Sequence, residues 1–236
     1  MNRPETTLFM LMSVDGKIST GDKDIMDIDT DLKKIAGIKE GNKQYYDLEQ
    51  ETDLYSLNSG RVFEKIGINK KTDIPKKLEV SFIIVDNKPH LDKNGVSYLA
   101  KKSKNLFIIT ANKEHPAFEL KKEHSNIEIF EYEGKADFTD AFRRLKEDFE
   151  VERMTIQSGG TLNAVFLREK LIDHLSIVVA PALIGGKDTS TLVDGESLRF
   201  PEELTKVKAL RLVECKVLED SYLHLKYNVL NETEII

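Results

Sequence analysis

Gln157-Ser-Gly-Gly-Thr-Leu-Asn163 is the stretch on which the fold turns, because the glycine pair Gly159 and Gly160 sits where a short apolar run, Met154 to Ile156, gives way to a helical pattern, Thr161 to Lys170. A backbone without side chains at such a junction can approach a phosphate closely, and the first amides of the following helix can hold its charge. The stretch is therefore a candidate cofactor-phosphate site. A lone glycine pair also serves simply to turn a strand into a helix, and both readings stand on these residues alone.

Outward from the glycine pair, short apolar runs alternate with amphipathic stretches. Strands are expected at Thr7 to Val14, Leu54 to Leu57, Val80 to Val85, Leu106 to Thr110, Ile127 to Phe130, Met154 to Ile156 and Leu175 to Ala180. Several are continuously apolar, as strands covered on both faces are. Helices are expected at Asp31 to Ile38, Val62 to Ile66, Val96 to Lys101, Phe138 to Phe149 and Leu162 to Lys170, with Phe138, Ala141, Phe142, Leu145 and Phe149 forming the clearest stripe. The alternation is that of an α/β fold on a mostly parallel sheet. Val207 to Leu218 and Tyr222 to Leu230 depart from it: two alternating runs around Glu219, Asp220 and Ser221 read as an antiparallel hairpin closing one sheet edge. No repeat or long linker interrupts residues 1–236, so a single domain is expected.

Composition narrows the function. A formal charge of −6 argues against nucleic acid or an anionic membrane as main partner. No window approaches the ~18 to 20 apolar residues of a membrane span, and the N-terminus lacks the features of a signal peptide, so a cytoplasmic protein is expected. Cys215 is the single cysteine and lies in an alternating run, which predicts a packed core thiol rather than a reactive one. The histidines, His90, His115, His124, His174 and His224, show no metal-binding spacing; surface or hydrogen-bonded structural roles and no metal site are expected. Ser158 lacks the Gly-x-Ser-x-Gly elbow of a hydrolase, and neither Gly-x-Gly-x-x-Gly nor a Walker loop occurs.

Three more motifs accompany the glycine pair. Met12-Ser-Val-Asp-Gly-Lys-Ile18 leaves the first strand and sets an acceptor, Asp15, beside a cation, Lys17, at a strand end where open α/β sheets bind ligands; Asp15-Gly16 is also a favoured turn pair. Leu57-Asn-Ser-Gly-Arg-Val-Phe-Glu-Lys-Ile-Gly67 runs through a polar turn into a helix, where Ser59 and Gly60 expose amides and Arg61 offers a planar fork for phosphate. Ala180-Pro-Ala-Leu-Ile-Gly-Gly186 ends a strand in a glycine-containing loop.

In their order these motifs, with Ile83-Ile-Val-Asp86 and Leu171-Ile-Asp173, resemble the reductase domain of riboflavin biosynthesis, part of the dihydrofolate reductase-like family, over about Thr6 to Leu230. The resemblance implies a central mixed, mostly parallel sheet flanked by helices, a bound NADPH and a homodimer. It implies that Gly159, Gly160, Thr161 and Leu162 contact the cofactor diphosphate, that Ser59, Gly60, Arg61 and Val62 grip its adenosine-phosphate end with Arg61 selecting the 2′-phosphate, and that Val85 and Asp86 line the cofactor. Ser13, Asp15 and Ser158 are implied beside the substrate, with Asp15 and Lys17 as the catalytic pair. The implied reaction is hydride transfer to a ribosylaminopyrimidine 5′-phosphate, whose sugar becomes a ribityl chain.

Two departures keep the substrate open. Ser158 stands where many members of the riboflavin pathway have Glu, and Ser19 to Thr52 contains no paired arginines to hold a substrate phosphate. Lys23, Lys33, Lys34, Lys39 and Lys43 lie there, but a solvated face is the expected role for most. A dihydrofolate or pterin reductase, with Asp29, Asp31 or Glu40 facing the pteridine, and a non-catalytic NADP-binding protein of the same fold remain as alternatives.

Overall fold

A computed structural model describes residues 2–235. Its strands are β1 (Glu5–Ser13), β2 (Tyr55–Ser59), β3 (Ser81–Val85), β4 (Leu106–Thr110), β5 (Ile127–Glu131), β6 (Arg153–Ile156), β7 (His174–Ala180), β8 (Ala209–Val217) and β9 (Leu223–Leu230). The helices are α1 (Ile28–Asp31), α2 (Lys43–Glu49), α3 (Gly60–Lys65), α4 (Lys93–Lys102), α5 (Ala117–Leu120), α6 (Phe138–Phe149) and α7 (Gly160–Arg168). The described residues form two compact units, one of residues 2–5 with Asp53–Ser158 and one of Thr6–Thr52 with residues 159–235.

In the first unit β5, β4, β3, β2 and β6 lie side by side, all parallel. β4 is buried at every residue because both faces are covered. On one face, Phe63 of α3, Val96 and Leu99 of α4 and Leu120 of α5 pack with Ile84, Leu106, Ile108 and Ile127. On the other, Phe107 meets Phe149 of α6 edge to face at 4.9 Å and Phe130 at 6.1 Å. Helix α6 starts where Asp137 accepts from the Asp140 amide and stops at Glu150, whose φ is 55°.

In the second unit β1 pairs in parallel with β7, β9 runs antiparallel to β7, and β8 antiparallel to β9. The parallel strands of both units and the C-terminal hairpin agree with the expected α/β class. Phe9, Leu11, Val178 and Ala180 carry Ile28, Leu32, Tyr45 and Tyr222 on one face, and Phe9 stacks on Tyr45 at 5.1 Å. The expected helix Asp31 to Ile38 is not formed as read. Asp27 caps the Thr30 amide and starts α1 early, a 3-10 turn follows at Leu32–Lys34, and Ile35 is extended. Its replacement, α2, escapes the sequence because only Tyr45 is buried.

A second correction concerns Cys215, which is exposed. Alternation shows which residues of β8 share a face, but not whether that face is covered. The strand is an edge, and all nine of its residues are exposed. Its pairing with β9 has a bulge between Leu212 and Glu214, so Leu210, Leu212, Cys215 and Val217 pair with Val229, Tyr227, Leu225 and Leu223 on one face. Arg211, Glu214 and Lys216 take the other. Without the bulge the apolar set would be split between faces.

Truncating Phe107→Ala, 1% exposed among its aromatic neighbours, is expected to cost about 3–5 kcal/mol in urea unfolding. Leu54→Ala, at 59% exposure, should stay within about 0.5 kcal/mol of the parent.

Candidate active site

The turn after β1 is fixed by Ser13, which is buried. Its Oγ donates to Asp15 Oδ1 at 2.5 Å and accepts from the Lys17 amide at 3.0 Å, while Gly16, at φ 76°, makes the left-handed step. Asp15 then accepts from the amides of Ile184 at 3.1 Å and Gly185 at 2.6 Å, in the loop after β7. The Ser13 hydroxyl first, then these amides, hold its carboxyl at about 2, below the ordinary 3.8. Asp15 is thus ionised at neutral pH and serves as an acceptor rather than a proton donor. Lys17 Nζ donates to the carbonyls of Gly186 at 2.7 Å and Thr189 at 2.9 Å, which commits two of its three donors. The structure brings Ser13, Asp15 and Lys17 together: Ser13 orients Asp15, and Asp15 and Lys17 grip the loop that begins in the stretch the sequence singled out at Ala180 to Gly186.

The same loop continues as a strap across the start of α7. Ile18 N donates to Ser190 O at 3.0 Å, Leu192 N to Gly16 O at 3.0 Å and Asp194 N to Gly160 O at 3.0 Å. Asn163 Nδ2 reaches Leu192 O at 2.9 Å, and the Asp194 carboxylate accepts from the Thr191 amide and hydroxyl. The two glycines of the pair therefore differ. A Cβ on Gly160 would lie 2.2 Å from the Thr191 carbonyl and 2.5 Å from Asp194 Oδ2, so the strap demands a glycine. A Cβ on Gly159 would meet nothing within 4 Å, and its φ of −74° suits any residue. Thr161 is exposed and Leu162 half-buried in the first turn.

The remaining expected site residues belong to the first unit. Ser59 caps α3 by accepting from the Val62 amide, Gly60 is buried, Arg61 is exposed and Val62 half-buried. Val85 ends β3 and Asp86 follows it; both are buried, as is Ser158 after β6. Asp86 does not present an open carboxylate: Oδ1 accepts from the amide and Nδ1 of His90, and Oδ2 from the Leu91 amide and His115 Nε2. Burial pushes this carboxyl up, but the bonds from His115, His90 and the two amides outweigh it and hold it below its ordinary value. Each histidine has a hydrogen-bond partner: Asp86 for His90 and His115, Ser97 for His124, Asn228 for His174 and Ser176 for His224. Thr191, Asp194 and His115 were not legible as site neighbours, since no local spacing ties them to their partners.

The segment Ser19 to Thr52 spends its charges on itself. Lys34 pairs with Asp31, Lys23 with Asp22 and Lys43 with Asp47, and Lys33 lies 4.4 Å over the Tyr46 ring. Asp31 also accepts from Thr20 and the Asp27 amide, and Glu40 from the Gly37 amide.

A family model described as the RibD C-terminal domain matches residues 4–223. The 2,5-diamino-6-ribosylamino-4(3H)-pyrimidinone 5′-phosphate reductase of Methanothermobacter thermautotrophicus is 42% identical over 48 residues, which cover 20% of this chain and 22% of that protein. A solved pyrimidine reductase-like protein from Corynebacterium diphtheriae superposes with a TM-score of 0.65 over 97% of this chain and 93% of that one, at 15% identity. RibD of Acinetobacter baumannii gives 0.64 at 14% identity, over 97% of this chain and 59% of that one. At such identities the likeness is one of fold.

The amides of Ile184 and Gly185 are expected to be protected from hydrogen exchange at neutral pH. Because the folded carboxyl of Asp15 sits at about 2, below its ordinary 3.8, that protection should persist above the ordinary value and fade as pH falls towards 2. Asp15→Ala should remove it at every pH, by exchange corrected for intrinsic rates.

Proposed function

The chain belongs to the RibD C-terminal domain family, and on that footing we propose that it is an NADPH-dependent reductase of a ribosylaminopyrimidine 5′-phosphate, the substrate class in the name of its Methanothermobacter relative. The family model spans residues of both compact units, which are taken together as one reductase domain. The observation that carries the reading is Gly159. Neither its backbone angles nor any neighbour requires a glycine, so a ligand that approaches the backbone closely accounts for it.

The cofactor fits the residues present. The amides of Gly160 and Thr161 in the first turn of α7, with Gly159 before them, would hold the diphosphate, and Leu162 completes that turn. Arg61, exposed in the first turn of α3, suits a 2′-phosphate, with Ser59, Gly60 and Val62 around it and Val85 and Asp86 behind. When bound, NADPH supplies the hydride. Lys17 keeps a donor and a positive charge for the substrate nitrogen that gains electron density, while ionised Asp15, oriented by Ser13, holds the loop that places it. Ser158 is assigned to the substrate side.

We assign the working form as a homodimer. The apolar row Leu210, Leu212, Cys215 and Val217 extends the apolar face of β9 into solvent, and a second copy laid against it would cover these side chains. A cytoplasmic location belongs to the same reading, since an unpaired thiol and a reduced cofactor suit a reducing compartment.

Calorimetry should show saturable NADPH binding, with oxidation of NADPH on adding the phosphorylated ribosylaminopyrimidine; binding without turnover would favour the non-catalytic alternative, and no binding would end the reading. Gly159→Ala should fold normally yet weaken NADPH roughly 10- to 100-fold, the scale of lost charge-assisted hydrogen bonds. Arg61→Ala should weaken NADPH but not NADH. Leu212→Arg with Val217→Lys should halve the mass measured by light scattering.

A further inference from the structure

Asp86 is the first residue after β3, and its carboxylate is fully buried. A buried charge persists only where donors replace water, and here four do so from two loops: the amide and ring of His90, the Leu91 amide and the ring of His115. Asn69 braces the nearer loop, donating to His90 O at 2.7 Å and accepting from the Asp92 amide at 3.2 Å. His115 sits between β4 and α5 at 1% exposure. Its Nδ1 accepts from the Ala117 amide, so the proton lies on Nε2 and points at Asp86.

The opposite side of that carboxylate faces the turn before α3. A Cβ on Gly60 would lie 2.3 Å from Asp86 Cγ and 2.4 and 2.7 Å from its oxygens. The φ of Gly60 is not left-handed, so the glycine is there because the carboxylate occupies the space of a side chain. The turn Ser59–Val62 therefore rests on Asp86, and Asp86 is held in place by His115. Arg61 follows Gly60 directly and inherits that placement.

We propose that Asp86 and His115 are positioning residues for the Ser59–Val62 turn, setting where the Arg61 guanidinium stands and thereby the preference for NADPH over NADH. The inference rests on the cofactor reading above. Neither side chain contacts the ligand; His115 is sealed in the interior, and the oxygens of Asp86 are taken by protein donors. Loss of the His115 donor leaves a carboxylate oxygen short of a partner in the interior, and the carboxylate shifts against the α-carbon of Gly60.

The test compares NADPH and NADH by steady-state kinetics in variants shown to fold by circular dichroism and cooperative melting. His115→Leu, which keeps bulk without a donor, is expected to raise the KM for NADPH about tenfold, leave that for NADH within twofold and keep kcat. His115→Gln, whose amide restores a donor, should recover most of the preference. In the Arg61→Ala background His115→Leu should change the ratio no further. A folded His115→Leu protein with the parental ratio overturns the proposal. Should His115→Leu not fold, Gly60→Ala decides: its NADPH penalty must shrink when Asp86→Ser makes room, and an unchanged penalty overturns the proposal. If the parent binds no NADPH, the cofactor reading itself falls and this inference with it. A loss of preference in Arg61→Ala but not in the His115 or Asp86 variants removes the inference alone.

Discussion

The α-carbon of Gly160 has a later segment of the same chain lying against it, and much of the second unit follows from that. A side chain there would strike the Thr191 carbonyl, so the strap can cross the start of α7 only over a glycine. Having crossed, it hydrogen-bonds to Gly16 and Ser190 bonds to Ile18, which ties the turn after β1 to the helix start. The loop between is held at its other end by Asp15 and Lys17. One absent methyl group thus permits a closed ring of backbone contacts, and the amides left over at the helix start are the ones available to an anion.

The two carboxylates at strand ends do similar work by different means. Asp15, open to solvent, gathers backbone amides and needs only a few short bonds to stay ionised. Asp86, cut off from water, needs a full set of donors and recruits two imidazoles for it. In both cases the charge organises loops. A charged residue in a turn motif invites a chemical reading first, yet here loop geometry accounts for every bond these acids make, and whatever chemistry follows is performed by the groups the loops carry.

What was legible in the sequence was mostly local. Leu106 to Thr110 and Phe138 to Phe149 were read to the residue because a strand buried on both faces and a 3.6-residue stripe leave little choice. The hairpin was readable from its turn. The segment after Gly21 was not, since its short helices bury single residues against Phe9 and the sheet rather than a continuous stripe. At the site, Asp15, Lys17 and the glycine pair were found by their place at strand ends. Partners distant in the chain were not: Thr191 and Asp194 meet Gly160, and His115 meets Asp86, only once the strands are assembled. The role of Cys215 was misjudged for a related reason: a period of two sorts residues into faces without saying what lies above either face.

That period has a phase, and in β8 the phase is shifted once. The bulge at Val213 works like a change of reading frame: before it the even-numbered residues are apolar, after it the odd-numbered ones, and the extra residue puts both sets on one side. The strand is therefore tolerant of substitution and intolerant of a change in length. Replacing one apolar residue with another preserves the row, whereas deleting a single residue on either side of the bulge would turn half of the strand over, exchanging charged for apolar side chains along the edge of the sheet.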